Sequence, residues 1–203
     1  EVKDDVALPI DPYLLGIILG DACLTVDGVV TISNPDEFIK EEVRRLIPEG
    51  YDLANRSKAI DYSIVRKDRN IGWRNNEFSS EIRKLGLFGK HSYTKFIPDV
   101  YLNASYNQRL ALLQGLMDTD GYASPRGNNR DGTLNEKGIG TVEYCTTSET
   151  MAYQIQELIR SIGGLCKIRT KIPYFTHKGE RRQGRLAYIL KPRMKDPSVL
   201  FRL

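Results

Sequence analysis

Two helix endings in this chain share a pattern that few architectures accommodate. Leu14-Leu15-Gly16-Ile17-Ile18-Leu19-Gly20-Asp21-Ala22 and Leu113-Gln114-Gly115-Leu116-Met117-Asp118-Thr119-Asp120-Gly121 begin 99 residues apart. In each, a glycine in third place is followed five residues later by an aspartate. Gly16 and Gly20 lie on one helix face, and Gly115 and Thr119 make the same small face on the other. Small residues at that spacing let two backbones approach closely. Asp11 before Pro12 is a good helix start, a side-chain cap followed by proline where no amide bond is lost. The helix it opens is apolar nearly all round and is expected to be buried. Asn107 is read as the cap of the second helix, running from about Gln108 to Asp118.

Packed side by side, such helices bring Asp21 and Asp120 together at two C-terminal ends. The helix dipole is already negative there. Two carboxylates so placed repel each other and have raised pKa values unless a cation sits between them. A hard divalent ion with oxygen ligands resolves the conflict, and the chemistry it invites is metal-assisted phosphodiester hydrolysis.

The pattern after each motif is also similar. Strand-like Val29–Ser33, a helix opened by Pro35-Asp36-Glu37 and a strand over Asp61–Arg66 follow the first. Strand-like Gly140–Thr146, a helix capped by Ser148-Glu149 and ended at Gly163-Gly164, and strands over Leu165–Tyr174 and Arg185–Leu190 joined by a basic turn follow the second. A glycine- and asparagine-rich loop, Ser124 to Gly132, intervenes. The first half carries an extra closing helix, about Glu77 to Leu85, without a counterpart in the second. The order reads as an internal duplication with pseudo-twofold symmetry, not a short-period solenoid: residues 1–106 with motif helix 12–21 and a linker, then residues 107–203 with motif helix 107–120.

With 203 residues, 40% of them hydrophobic, the chain can bury a proper core. No run approaches the ~18 apolar residues a membrane span needs. Cys23, Cys145 and Cys166 are odd in number, widely spaced and without a zinc pattern, which suggests a reducing compartment. The acidic start, Glu1-Val2-Lys3-Asp4-Asp5, is unlike a signal peptide. Net charge is +4, but its distribution says more: between Leu165 and Lys195 ten Lys or Arg face one acid, Glu180. Such a stretch is expected to seek polyanions, or else to be a solvated hairpin. Lys167, Arg169 and Lys171 alternate and point to one strand face.

These residues resemble the LAGLIDADG (dodecapeptide) homing endonucleases, particularly the single-chain type embedded in inteins. The first motif departs at Leu19, where the family often has an acid, and at Ala22, where it usually has glycine. The resemblance implies an α+β fold of duplicated αββαββα units, with antiparallel saddle-shaped sheets and the motif helices at the interface. It implies a monomer that makes double-strand breaks at a long DNA site with Mg²⁺ or Mn²⁺. Asp21 and Asp120 would hold the metal, completed by backbone carbonyls at Gly20 and Thr119. Lys95, in Lys95-Phe96-Ile97-Pro98, looks like the family's catalytic lysine, with a linker surface lysine as the bland reading. Lys191 is the second-half candidate, and Lys67 is the approximate first-half equivalent. Ser33 and Thr146 either hold metal-bound waters or are ordinary caps. Double-stranded DNA would meet Lys167, Arg169, Lys171 and Arg185, with Arg181 and Arg182 gripping phosphates from the turn. In the first half Arg56, Lys58, Arg66, Lys67 and Arg69 are the candidates.

Intein splicing uses an N-terminal Cys or Ser and a C-terminal His-Asn pair. This chain begins with Glu1, ends in Phe201-Arg202-Leu203 and has only His91 and His177. It is therefore expected to be the non-splicing endonuclease domain of a larger self-splicing intein, in a prokaryotic, archaeal or phage-encoded setting. The competing reading is a non-cutting LAGLIDADG nucleic-acid binder, an RNA maturase or a transcription regulator.

Overall fold

The computed structural model describes residues 3–25, 28–56, 60–68, 76–124 and 140–203. Lys58 and Arg69, and most of the Ser124–Gly132 loop, lie outside these. Helix α1 (Pro12–Asp21) starts as its sequence predicts, with the Asp11 carboxylate accepting from the Tyr13 and Leu14 amides at 2.9 and 3.1 Å. Strands β1 (Ala22–Cys23) and β2 (Val30–Ser33), helix α2 (Glu37–Leu46), and strands β3 (Tyr51–Asn55) and β4 (Asp61–Arg66) follow. Helices α3 (Glu77–Lys84) and α4 (Asp99–Leu102) lead to α5 (Tyr106–Asp120). Strands β5 (Gly121–Ser124) and β6 (Thr141–Thr146), helix α6 (Glu149–Ser161), and strands β7 (Leu165–Lys171), β8 (Tyr174–His177), β9 (Glu180–Gln183) and β10 (Ala187–Arg193) complete the chain, with a final 3-10 turn, Pro197–Leu200.

The duplication is written in the sheets. The first has strand order β1-β2-β4-β3 and the second β5-β6-β10-β7, all pairs antiparallel. In both, the first two strands follow a motif helix, a crossover helix (α2 or α6) comes next, and the fourth strand inserts between the second and the third. The β8–β9 ribbon pairs only with itself and interrupts the connection from β7 to β10.

One hydrophobic core serves both halves. It joins Leu14, Ile17 and Ile18 of α1 and Leu112, Leu113 and Leu116 of α5 to residues of both sheets, α2 and α6. Each such side chain, moved fully out of water, contributes ~1.5–3 kcal/mol, which is why a helix without a polar face is stable here. Residues 3–10 tie the start of the chain to the linker and to α5: the Tyr101 hydroxyl bonds both backbone groups of Ile10, and Gln108 bonds both of Val6.

Several expectations are corrected. The cap of α5 is Ser105, which exchanges bonds with Gln108 in a capping box, so Asn107 lies inside the first turn. Strand β3 was not anticipated, because Tyr51-Asp52-Leu53-Ala54-Asn55 has little β propensity and is held by pairing with β4. The long basic strands are three shorter ones plus β10, and the second half does have a closing segment, the turn carrying the buried Leu200.

Candidate functional site

Backbone contact between α1 and α5 fixes the site. A side-chain carbon added at Gly16 would lie 2.8 Å from the Gly115 Cα and closer still to the Leu112 carbonyl oxygen. One added at Gly115 would lie 3.0 Å from the Gly16 Cα and would run into the Tyr13 carbonyl. One turn on, Gly20 abuts Thr119, whose hydroxyl bonds back to the Gly115 and Leu116 carbonyls at 3.0 and 2.9 Å. The helices therefore reach their C-termini still in contact, and Asp21 and Asp120 are the next residues of each.

The electrostatics follow from that convergence. Burial raises the Asp21 carboxyl above the ordinary range, opposed by the Asn34 amide, which donates to it at 2.6 Å, and by the Lys95 charge. Asp120 is pushed up to about 6, first by its close protein surroundings and then by the Asp21 charge, with Lys95 acting against both. Asp120 is exposed as a residue, yet its carboxyl faces a cavity of about 240 Å³ lined by Gly20, Lys95, Tyr144, Cys145 and Thr146. Mutual repulsion in this pair is the signature of a place for a further cation.

Lys95 is no surface lysine. It is 5% exposed and its ammonium donates to the carbonyls of Leu19 and Ala22 at 2.8 Å, and to those of Ile18 and Gly20 at 3.4 Å. It thus caps the end of α1, where a cation meets the negative end of the dipole. Burial pulls its pKa down to about 8 against the pull of Asp120 and Asp21. Its backbone is pinned by the Ser148 hydroxyl, which donates to its carbonyl at 2.6 Å at the start of α6. The Gly20 carbonyl expected to face a metal is already shared with this amine.

Two tyrosines were missed by sequence reasoning. Tyr62 pairs with Ile32 across β4 and β2, and Tyr144 pairs with Leu190 across β6 and β10. The same pair of positions thus holds one tyrosine in each sheet, on alternate strands. Both hydroxyls are buried; the Tyr62 hydroxyl has no hydrogen-bond partner among the described residues, while that of Tyr144 is directed at Asp120, and burial first, then the charge of the nearby aspartate, raises both. Strand alternation in either segment suggested only core. Two desolvated carboxylates with an unpartnered Tyr62 hydroxyl nearby fit a hydrated divalent ion.

The remaining candidates divide. Lys191 is ion-paired with Glu143 and lines a different cavity, with Thr141 and Val142, so it is not the second-half amine at the carboxylates. The charges acting on Asp120 are those of Asp21 and Lys95. Thr146 lines the site cavity, but its hydroxyl accepts from the Ser148 amide, a capping role, and Ser33 is exposed at the end of β2. Lys167, Arg169 and Lys171 do share one face, joined by Lys191 and Arg193 through the β10–β7 register, opposite the buried Tyr188 and Leu190. Arg181 and Arg182 sit on β9, not in the turn, which is Lys178-Gly179 with φ of 51° and 82°. The Arg185 guanidinium is stacked on the exposed ring of Tyr93 at 3.7 Å. Arg66 lies on the helix side of the first sheet, over the Tyr51 ring and paired with Glu77 at 3.3 Å, away from the outer face. Lys67 is exposed just beyond β4.

Asp118 has a separate task. It accepts from the Tyr13 hydroxyl at 2.8 Å and from the Arg202 amide at 3.1 Å, while the Arg202 guanidinium covers the Tyr13 ring at 3.9 Å. The duplicated positions are Leu19 and Leu112, 2% and 0% exposed. The departure at Leu19 thus replaces a polar position with an apolar one beside the cavity that Asp120 faces.

Two glycine-faced helices, each continuing into a four-stranded sheet of the same order and ending in a convergent aspartate, are the features by which the chain resembles the LAGLIDADG proteins. Residues 107–191 match the family model described as a LAGLIDADG-like domain. The expected resemblance to that family holds, and the chain has its mixed α+β fold. Among solved structures, the fold is similar to that of a variant of the homing endonuclease I-DmoI in complex with its target DNA in the presence of Mg, with TM-score 0.51, 13% identity, and 91% of this chain and 89% of that chain covered. I-DmoI in complex with DNA and Ca gives TM-score 0.50 and 13% identity over 94% and 85%. Among curated proteins, the chain is 27% identical to the ATP-dependent DNA helicase Hel308 of Thermococcus kodakarensis over 78% of this chain and 13% of that protein. It is 26% identical to the replicative DNA helicase DnaB of Mycobacterium intracellulare over 89% and 23%. It is 28% identical to the protein RecA of Mycobacterium tuberculosis over 79% and 19%. The chain thus spans less than a quarter of the length of these relatives. No helix among the described residues is long and apolar enough to cross a membrane.

Proposed function

We propose that this chain is a divalent-metal-dependent endonuclease that cuts both strands of duplex DNA at a long site, acting as a monomer of two pseudo-symmetric halves divided near the Ser105 cap. The observation that carries the reading is the convergence of Asp21 and Asp120 at two helix ends in contact, with a buried amine beneath them. Asp21 and Asp120 would hold Mg²⁺ or Mn²⁺, beside the buried Tyr144 hydroxyl that lines the same cavity. Bound there, a divalent ion supplies Lewis acidity and an activated water for phosphodiester hydrolysis. Lys95 keeps a positive charge below pH about 8, holds the end of α1 and lowers the cost of two neighbouring carboxylates. Solved structures of the same fold hold DNA with Mg or Ca, in keeping with this assignment. The cations on the outer face of the second sheet supply attraction for the phosphate backbone.

Three differently named proteins, two helicases and RecA, share this segment over 13–23% of their lengths. A segment common to otherwise distinct proteins behaves as an inserted unit, which supports an intein-type origin. The substrate to test is therefore a plasmid carrying the parent gene with the coding segment of the insert removed. Double-strand cleavage at that junction is expected in Mg²⁺ or Mn²⁺ and not in EDTA. Asp21→Asn or Asp120→Asn should abolish it while duplex binding persists. Tight duplex binding without cleavage by the unaltered chain would leave a non-cutting binder instead, and a preference for structured RNA would indicate a maturase.

A further inference from the structure

The duplicated fold repeats one position beside the carboxylates with different residues. Ala22 and Gly121, which follow the two aspartates, pair with Ile32 and Tyr144 on the neighbouring strands. Two residues beyond these come Asn34 and Thr146, and two further on the caps of α2 and α6, Asp36 and Ser148. Strand register and helix caps therefore agree in making Asn34, and not Ser33, the counterpart of Thr146.

The two side chains share half of their bonding. The Asn34 side-chain oxygen accepts from the Asp36 amide at 2.7 Å, as the Thr146 hydroxyl accepts from the Ser148 amide at 3.1 Å. Each closes a turn that opens its helix. Asparagine has a second arm, and threonine does not. A backbone N–H can only donate, so the oxygen of Asn34 must face Asp36 and its NH₂ must face Asp21. That NH₂ donates to Asp21 Oδ2 at 2.6 Å, and Oδ1 accepts from no side chain among the described residues. Pro35 keeps the Asn34 backbone extended, and the Asn34 backbone N–H donates to the Ile60 carbonyl at 3.0 Å, so the side chain starts from a fixed base. In the second half the Tyr144 hydroxyl is directed at Asp120 instead, and its counterpart, Ile32, has no polar group to offer Asp21.

Resting on the proposed function, we infer that Asn34 is a positioning residue for the reaction: it commits one oxygen of Asp21, leaves the other for the cation, and sets the carboxylate from the start of α2. The two halves then orient their carboxylates by different devices, an amide in the first and a phenol in the second. Hydrogen-bond partners of ligating groups govern metal affinity through the orientation they impose.

Asn34→Asp separates orientation from turn formation. Aspartate closes the same turn, but sets a second carboxylate against Asp21. In EDTA this variant should melt a few degrees below the unaltered chain. In an Asp21→Asn background the same substitution should cost little, because amide and carboxylate have then exchanged places. Mn²⁺ titrated into the chain on a duplex spanning the junction, and followed by electron paramagnetic resonance, should bind about 10–100-fold more weakly to Asn34→Asp and to Asn34→Ala. Unchanged melting and unchanged Mn²⁺ affinity in Asn34→Asp overturn the inference and leave Asn34 as the opener of α2 alone. A melting loss of the same size in the Asp21→Asn background overturns it as well. Failure of Mn²⁺ to bind the unaltered chain on duplex overturns the nuclease reading itself, while the melting comparison in EDTA still decides whether Asn34 holds Asp21.

Discussion

Asp120 is a carboxylate held where the protein would prefer it neutral. Its pKa of about 6 lies above the unfolded value, so the native state binds more protons than the unfolded chain between about pH 4 and 6. Stability therefore falls as pH rises through that window, and the loss is fully present at pH 8. Asp120→Asn should stabilise the metal-free protein at pH 8 by about 1 kcal/mol after allowance for solvent screening, and by nothing at pH 4. Melting in EDTA at the two pH values checks this; equal or lower stability of the variant at pH 8 would refute it. Mg²⁺ should raise the melting temperature of the unaltered chain only. Lys95 acts in the opposite sense on the same pair. Lys95→Met should move the Asp120 titration above 6, read from carboxyl carbon shifts by NMR, and should eliminate cleavage. The Asp pair could be found from the motif alone. Tyr62 and Tyr144 could not, since their significance is that burial sets their hydroxyls near the two carboxylates, and that depends on chain segments distant in sequence.

At the level of elements, the decisive contact is backbone against backbone. Gly16 and Gly115 meet carbonyls and α-carbons, which cannot turn aside, whereas Gly20 meets only the Thr119 side chain. Gly16→Ala should therefore cost on the order of 3 kcal/mol, with no rescue from side-chain changes on α5. Gly20→Ala should cost less and be largely recovered by Thr119→Gly. Urea titrations of the two single variants and the double variant decide the matter; additive effects at Gly20 and Thr119 would sink it. The glycine spacing announced this interface, and Asp11-Pro12 announced the start of α1. The α5 cap was misassigned because both Ser105 and Asn107 suit the position; the Ser105–Gln108 spacing of a capping box was the better signal. The β8–β9 ribbon was hidden because a basic, turn-rich stretch lacks the alternation that marks a strand with a buried face.

For the molecule as a whole, the two halves share one core although each has its own sheet. Leu112, Leu116 and Gly115 of α5 are covered by α1, so residues 105–203 alone would expose a continuous apolar helix face. That fragment should self-associate through the Gly115 face or remain incompletely folded, and the full chain should unfold in one transition. Sedimentation of the fragment and coincident fluorescence and circular-dichroism unfolding of the whole chain test this. A stable monomeric fragment would show the halves to be independent.

From residue order alone came the duplication, the paired helix ends and the alternating cations of β7, since each is a local periodicity that survives in one dimension. Tertiary structure alone decided which cations are free. It stacked Arg185 on Tyr93, paired Arg66 with Glu77 and Lys191 with Glu143, and buried Lys95 beneath the carboxylates. A charge acquires its role from what surrounds it, and those surroundings are brought together only when the two halves close on a common core.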